Sequence, residues 1–357
     1  MPIRELYHTW KKKLTEIRPQ ERVTRLRNFA WLLSGLYNSK SIHQSKMAAK
    51  IPGQVQLLSR TRQFSRLLDN PAVRVREWYH PLASGILQAS VAVGEVRLIV
   101  DGSKVGFGHQ LLMVAVAYRK RAIPLVWTWV KGSRGHSSSL KQLAVLAYVH
   151  SLLPPQAAVL LVGDNEFGAV EVQKQLNKWG WQYVLRQKGQ YLVLAFGQRT
   201  ARRLDSLVSK AGEITWLPKS RFTLRHLWRV NVLAYWKPGE KEPWRLATNL
   251  PQPQLVLRAY RRRMWIEEMF GDMKGHGFDL ESTHLRHFQR LSRLTLAVVL
   301  LYVWLLSFGS RTIKNGQRRL VDRNDRRDYS LFRLGWHMAD RRLNNEESLQ
   351  ISFRFCL

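Results

Sequence analysis

The chain has 357 residues, 45% of them apolar, which is enough for a sizeable core and for two or three domains. Lysine and arginine number 58 against 25 aspartates and glutamates, a formal net charge of +33. Such a chain repels itself unless a polyanion is near, and nucleic acid leads because phosphate neutralisation releases counterions. The one cysteine, Cys356, leaves no internal disulfide and no cysteine-based metal site, and 14 tryptophans argue against a ribosomal protein.

The N-terminal MPIRELYHTWKKKLTEIRPQ carries charges and no apolar signal core, so no secretory signal is expected. Residues 1–92 read as a helical, basic DNA-binding region. FAWLLSGLYNSKSIHQSKMAAKIP and QLLSRTRQFSRLLDNP have helical spacing, with Pro52-Gly53 between them and Asn70-Pro71 after the second. Two helices about a Pro-Gly turn fit a helix-turn-helix reader of DNA, with Lys46, Lys50, Arg60, Arg62 and Arg66 available to it. Two merely packed helices fit as well.

The pattern changes at residue 93. VRLIVDGSKV reads as a strand that ends in Asp101, and LLMVAVAYR and IPLVWTWV as a hairpin. Ser137 to Ser139 cap the helix LKQLAVLAYVHSLL, and AVLLVGDNEF is a buried parallel strand ending in Asp164. The helix AVEVQKQLNKWG and the strand WQYVLRQKG follow. The order β, hairpin, α, β, α, β predicts a mixed α/β sheet over 93–190. Residues 191–250 read as an inserted β-subdomain, with Trp228, Val230, Val232, Ala234 and Trp236 on one face of a strand and WRLATNL as another. Residues 251–310 return to the core and 311–357 read as a basic tail. Residues 294–310 are uncharged and approach the roughly 17–25 residues of a membrane span. No second span exists, so a central helix buried on all sides is expected instead.

Asp101 and Asp164 both end strands, where ligands bind in open α/β sheets. Either alone could cap a turn. Two together repel unless a cation intervenes, and oxygen ligands favour two Mg²⁺ or Mn²⁺ ions, a set that a third carboxylate would complete. YRRRMWIEEMFGDMK, residues 260–274, offers two glutamates. At about 100° per residue, Tyr260, Arg263, Glu267 and Lys274 share an arc of about 60°, and Glu268 falls outside it. Ile266, Met269, Phe270 and Met273 form the core side. A plain set of helical ion pairs fits this projection equally.

The spacing Tyr260, Arg263, Glu267, Lys274 resembles the YREK signature of bacterial insertion-sequence DDE transposases, which have a ribonuclease H-like core. IVDGSKV and LLVGDNEF resemble the family's two Asp motifs, and the β-rich insertion lies where the family has one. The resemblance covers about residues 94–310. It implies a ribonuclease H-like mixed sheet with helices on both faces. It also implies that Asp101, Asp164 and Glu267 hold two divalent ions, and that Tyr260, Arg263 and Lys274 contact DNA phosphates. Trp244 would stack on a flipped base, although a core role also fits it. The implied partners are double-stranded DNA, as terminal inverted repeats and target, and a second copy of the chain in a synaptic dimer. The implied location is the bacterial cytoplasm at the nucleoid, with no membrane. A domesticated or inactive DNA-binding derivative is the alternative.

Overall fold

Five helices come first: α1 (Pro2–Ile17), α2 (Val23–Ser39), α3 (Gln44–Ala49), α4 (Leu57–Asp69) and α5 (Val75–Ala92). The computed structural model describes residues 2–106, 108–132 and 137–355, so Cys356 lies outside the described residues. Only six residues make α3, and both α3 and α4 pack on α2. Lys46, Lys50, Arg62 and Arg66 face solvent, whereas Arg60 is half-buried and donates to Gln63 at 3.0 Å.

The sheet begins with a meander, β1 (Val96–Val105), β2 (His109–Tyr118) and β3 (Arg121–Lys131), in which each strand is antiparallel to the next. Arg119 and Lys120 turn β2 into β3 with positive φ values of 44° and 63°, the pattern of a tight hairpin matched to strand twist. Then α6 (Ser139–Leu152), β4 (Val159–Gly163), α7 (Val170–Lys178) and β5 (Gln182–Arg186) alternate. Ser138 caps α6 by accepting from the Lys141 N–H. β4 joins β1, and β5 joins β4, in parallel. Every residue of β4 is buried, which explains its unbroken apolar run.

The insertion contributes β6 (Leu192–Leu194), β7 (Arg202–Arg203), β8 (Ile214–Phe222), β9 (Trp228–Tyr235) and β10 (Trp244–Thr248). It extends the sheet: β10 pairs antiparallel with β5, giving the ten-strand order β3-β2-β1-β4-β5-β10-β9-β8-β6-β7. Its own small core includes Val193, Leu204, Phe222, Val230, Val232 and Ala234, with Trp228 and Trp236 packed against it. The expected shared face of β9 is therefore present.

The chain returns through α8 (Pro253–Tyr260), a 3₁₀ turn at Arg261–Arg263 and α9 (Met264–Met273). It ends with α10 (Phe288–Lys314) and α11 (Leu331–Asn344). The expectation of one helix over 260–274 needs correction. Tyr260 ends α8, the 3₁₀ turn winds more tightly than 100° per residue allows, and Lys274 leaves the helix with ψ −134°.

The apolar run lies in α10, which is the centre of the molecule. Its most apolar window is 94% buried, and it packs on α2, α4, α5, α9, α11 and β3. Burial on every side accounts for its composition. The segment read as a basic tail folds back as α11, burying Phe332, Leu334, Trp336, Met338 and Leu343. Two glycines set the closeness of this pair. A Cβ on Gly335 would lie 1.9 Å from the Leu305 carbonyl oxygen, and one on Gly309 would lie 2.0 Å from that of Leu331.

The meander is tied to α9 by a buried charge. Arg121 donates to Asp272 at 2.7 Å and reaches Glu268 at 3.1 Å. Burial pushes the Asp272 carboxyl up from 3.8 to about 6, against the pull of Arg121. The folded chain thus holds a proton that the unfolded chain has released, and this group makes stability fall as pH rises between those values. Without Arg121 the folded value would climb further and the fall would continue above pH 6. Arg121→Met should therefore cost about 3 kcal/mol at alkaline pH and distinctly less under mild acid, read by urea unfolding. An equal loss at both pH values would mean that this charge pair does not organise the junction.

Candidate active site

The parallel ladder between β1 and β4 ends at the pair Val100–Gly163. Asp164 is the first residue after β4, but β1 does not end at Asp101 as expected: only its pairing with β4 stops there, and its ladder with β2 carries it on to Val105. Neighbouring strands lie about 4.8 Å apart, so the two carboxylates emerge side by side. Asp101 is 1% exposed, and its Oδ1 accepts from the Gly102 N–H at 2.7 Å. Asp164 begins a 3₁₀ turn, Asn165–Phe167, pinned by the fully buried Phe167.

Glu166 holds that turn from behind. It accepts from Gln110 at 2.8 Å and from the Ser137 N–H at 2.9 Å, and it contacts the Ser137 hydroxyl. Arg186, the last residue of β5, places Nη1 3.9 Å from Asp164 Oδ1. Sequence reasoning missed both residues. Arg186 obeys the same rule that marks Asp101 and Asp164, a polar residue at a parallel strand end. Glu166 carries no such signal, because Gln110 and Ser137 come from distant positions.

The 3₁₀ turn between α8 and α9 packs on β1 and β4 and carries Arg263 into the site. Arg263 is buried; its Nη1 lies 3.1 Å from Asp101 Oδ2 and its Nη2 lies 2.7 Å from Glu267 Oε1. Burial opposes its charge, but Tyr260, Asp101, Asp164 and Glu267 together hold its pKa above the ordinary value. Carboxylates of β1 and α9 therefore share one guanidinium, and the charge of Asp164 also acts on it. Glu268 points elsewhere, to Arg121, so the two glutamates are separated as the projection expected.

Tyr260 is 2% exposed, burial pushes its phenol pKa up, and its hydroxyl has no hydrogen-bond partner. Trp244, the first residue of β10, is half-buried and meets the Tyr260 ring edge-on at 5.1 Å and the Tyr235 ring at 6.1 Å. Lys274 reaches the other way, donating to the Lys104 carbonyl at 2.6 Å, three residues beyond Asp101. The structure thus gathers Asp101, Asp164, Tyr260, Arg263 and Glu267, sets Trp244 at their border, and leaves Lys274 on the adjacent end of β1.

The donor chemistry, carboxylate oxygens alone, fits hard divalent ions. The cation among them in this structure is Arg263. Among the described residues no three of His, Cys, Asp and Glu stand close enough to share one metal ion.

Residues 96–304 match the family described as the transposase DDE domain. Among curated proteins none matches the chain. A cryo-EM structure of a piggyBac transposase synaptic complex with hairpin DNA is similar with a TM-score of 0.45 at 10% identity, over 96% of this chain and 78% of that chain. A likeness this loose assigns nothing to this chain. A match across more than half of the sequence, on a mixed sheet with carboxylates at its parallel strand ends, makes the chain a member of the transposase DDE domain family.

Proposed function

We propose that the chain is a cut-and-paste DNA transposase, cleaving the ends of its element and joining their 3′ hydroxyls to target DNA. The observation that carries this reading is the sharing of Arg263 by Asp101 and Glu267, with Asp164 acting on the same charge. Such a cluster is an anionic site assembled around positive charge. Two Mg²⁺ or Mn²⁺ ions, when bound, would activate the attacking and leaving oxygens of phosphoryl transfer.

Asp101, Asp164 and Glu267 would hold those ions. Arg263, Tyr260 and Lys274 would grip phosphates of the element end. The guanidinium would pass from the carboxylates to a phosphate, exchanging the charge-assisted bonds it makes here for equivalent ones to phosphate oxygens. The Tyr260 hydroxyl, buried without a partner, would gain one from a phosphate oxygen. Trp244 meets the Tyr260 and Tyr235 rings edge-on and packs against the core, yet it stays partly exposed, which leaves some ring surface for an unpaired base. Lys46, Lys50, Arg62 and Arg66, each exposed in or beside α3 and α4, would offer positive charge to duplex DNA. Two copies would bring two ends together, at the nucleoid of a bacterial cell.

Three substitutions test the reading on DNA carrying the element's own ends. Glu267→Gln should lower cleavage at least about a hundredfold, near 2.7 kcal/mol of barrier, with end binding kept. Glu268→Gln should retain most activity, since its partner Arg121 is still held by Asp272. Similar losses in both would dismantle the three-carboxylate site. For Trp244→Ala the expected result is slower cleavage with folding and end binding intact, a loss of about 1–3 kcal/mol. Unfolding of that variant would instead return Trp244 to the core. Divalent-independent binding with no cleavage by the wild-type chain would favour the domesticated alternative.

A further inference from the structure

The two aspartates part company where the site forms. The parallel ladder between β1 and β4 stops at the Val100–Gly163 pair; after it β1 stays with β2, and the chain at Asp164 leaves the sheet in its 3₁₀ turn. A link across this gap comes from β2. Gln110 pairs with Lys104, so its side chain lies on the face of the sheet that Gly102 and Lys104 share, opposite the face taken by Asp101. Gln110 is fully buried, and its Nε2 donates to Glu166, in the turn that begins at Asp164, at 2.8 Å.

On its way the amide crosses Gly102. A Cβ there would lie 2.0 Å from Gln110 Nε2 and 2.9 Å from Gln110 Cδ, so the residue after Asp101 has no room for a side chain while the amide is in place. One side chain thus packs on the neighbour of the first aspartate and holds the turn of the second. Glu166 is fixed from elsewhere too: it accepts from the Ser137 N–H at 2.9 Å, and its carbonyl accepts from Gln142 at 3.0 Å.

Stability does not account for this amide. Gln110 Oε1 is buried with no hydrogen-bond partner, a cost that an apolar side chain would avoid. An unsatisfied group of this kind calls for another reason. We propose that Gln110 is a positioning residue: its amide, reaching from Gly102 to Glu166, sets the separation of Asp101 and Asp164 and so the spacing of the two divalent ions they would hold. This role rests on the reading of Asp101, Asp164 and Glu267 as a two-ion site. Ions in such sites lie roughly 3.5–4 Å apart, which leaves little tolerance for a shift of the Asp164 turn. Groups that orient the ligands of a metal contribute about 10–100-fold to its affinity.

The test is electron paramagnetic resonance of Mn²⁺ bound to the full chain with a duplex already cut at the element's end, alongside urea unfolding of the same proteins. The wild type should show the signal of two coupled ions. Gly102→Ala pushes the amide aside and Gln110→Ala removes it. Both should weaken binding of the second ion about tenfold or more and lose the coupled signal. Both should also unfold at lower urea, the first through crowding and the second through the space it leaves. In the double variant the new methyl enters that space, so unfolding should return towards the wild type while the coupled signal stays absent. A coupled signal that returned with stability would mean that Gln110 only packs, and one that persisted in Gln110→Ala would overturn the role outright. No coupled pair in the wild type would instead overturn the two-ion reading, and this role with it.

Discussion

Two carboxylates at adjacent strand ends need positive charge between or beside them, and the structure supplies it with Arg263. The guanidinium spans 3.1 Å to Asp101 and 2.7 Å to Glu267, joining a strand to a helix more than a hundred and fifty residues away in the chain. A buried arginine with one anion would be a poor bargain in solvation, whereas several anions hold it charged. The same arrangement explains the chemistry expected of the site. What now attracts a guanidinium would attract metal ions, and what now anchors Arg263 could be exchanged for a phosphate.

The rest of the fold serves to hold those strand ends still. β1 lies between β2 and β4, so Asp101 is held by its pairing with Met113 of β2 on one side and stands at the end of the β4 ladder on the other. The turn after Asp164 is locked by Phe167 below and Glu166 behind. On the other side, α10 fills the centre, and α9 is fixed to the meander through Arg121 and Asp272. The glycine contacts between α10 and α11 allow the final helix to approach at backbone distance and seal this core.

Much of this was legible in the sequence because it follows from short-range pattern. The apolar run ending in Asp164 marked a parallel strand, and the length of the 294–310 run with no companion marked a buried helix, whereas the strand read as ending at Asp101 runs on to Val105 through its pairing with β2. The separation of Glu267 from Glu268 survived although the single helix assumed for it did not. Arg263 has helical dihedrals, φ −53° and ψ −39°, so its four steps to Glu267 keep the projected spacing, while Lys274 lies past the end of α9 and escaped the projection. The extension of the sheet by β10, the return of α11 and the roles of Arg186 and Glu166 depend on contacts between distant segments. No local period records such contacts.

If Asp101, Asp164 and Glu267 are the proposed ion site, Arg263, which pairs with Asp101 and Glu267 here, competes with metal for it. Binding of Mn²⁺ to the DNA-free chain, followed by electron paramagnetic resonance, tests this competition most directly. Arg263→Gln should bind the ion more tightly than the wild type, because the carboxylates lose a competing cation, and adding Asp101→Asn should abolish the gain. Equal or weaker binding by Arg263→Gln, in a variant that remains folded, would contradict the account.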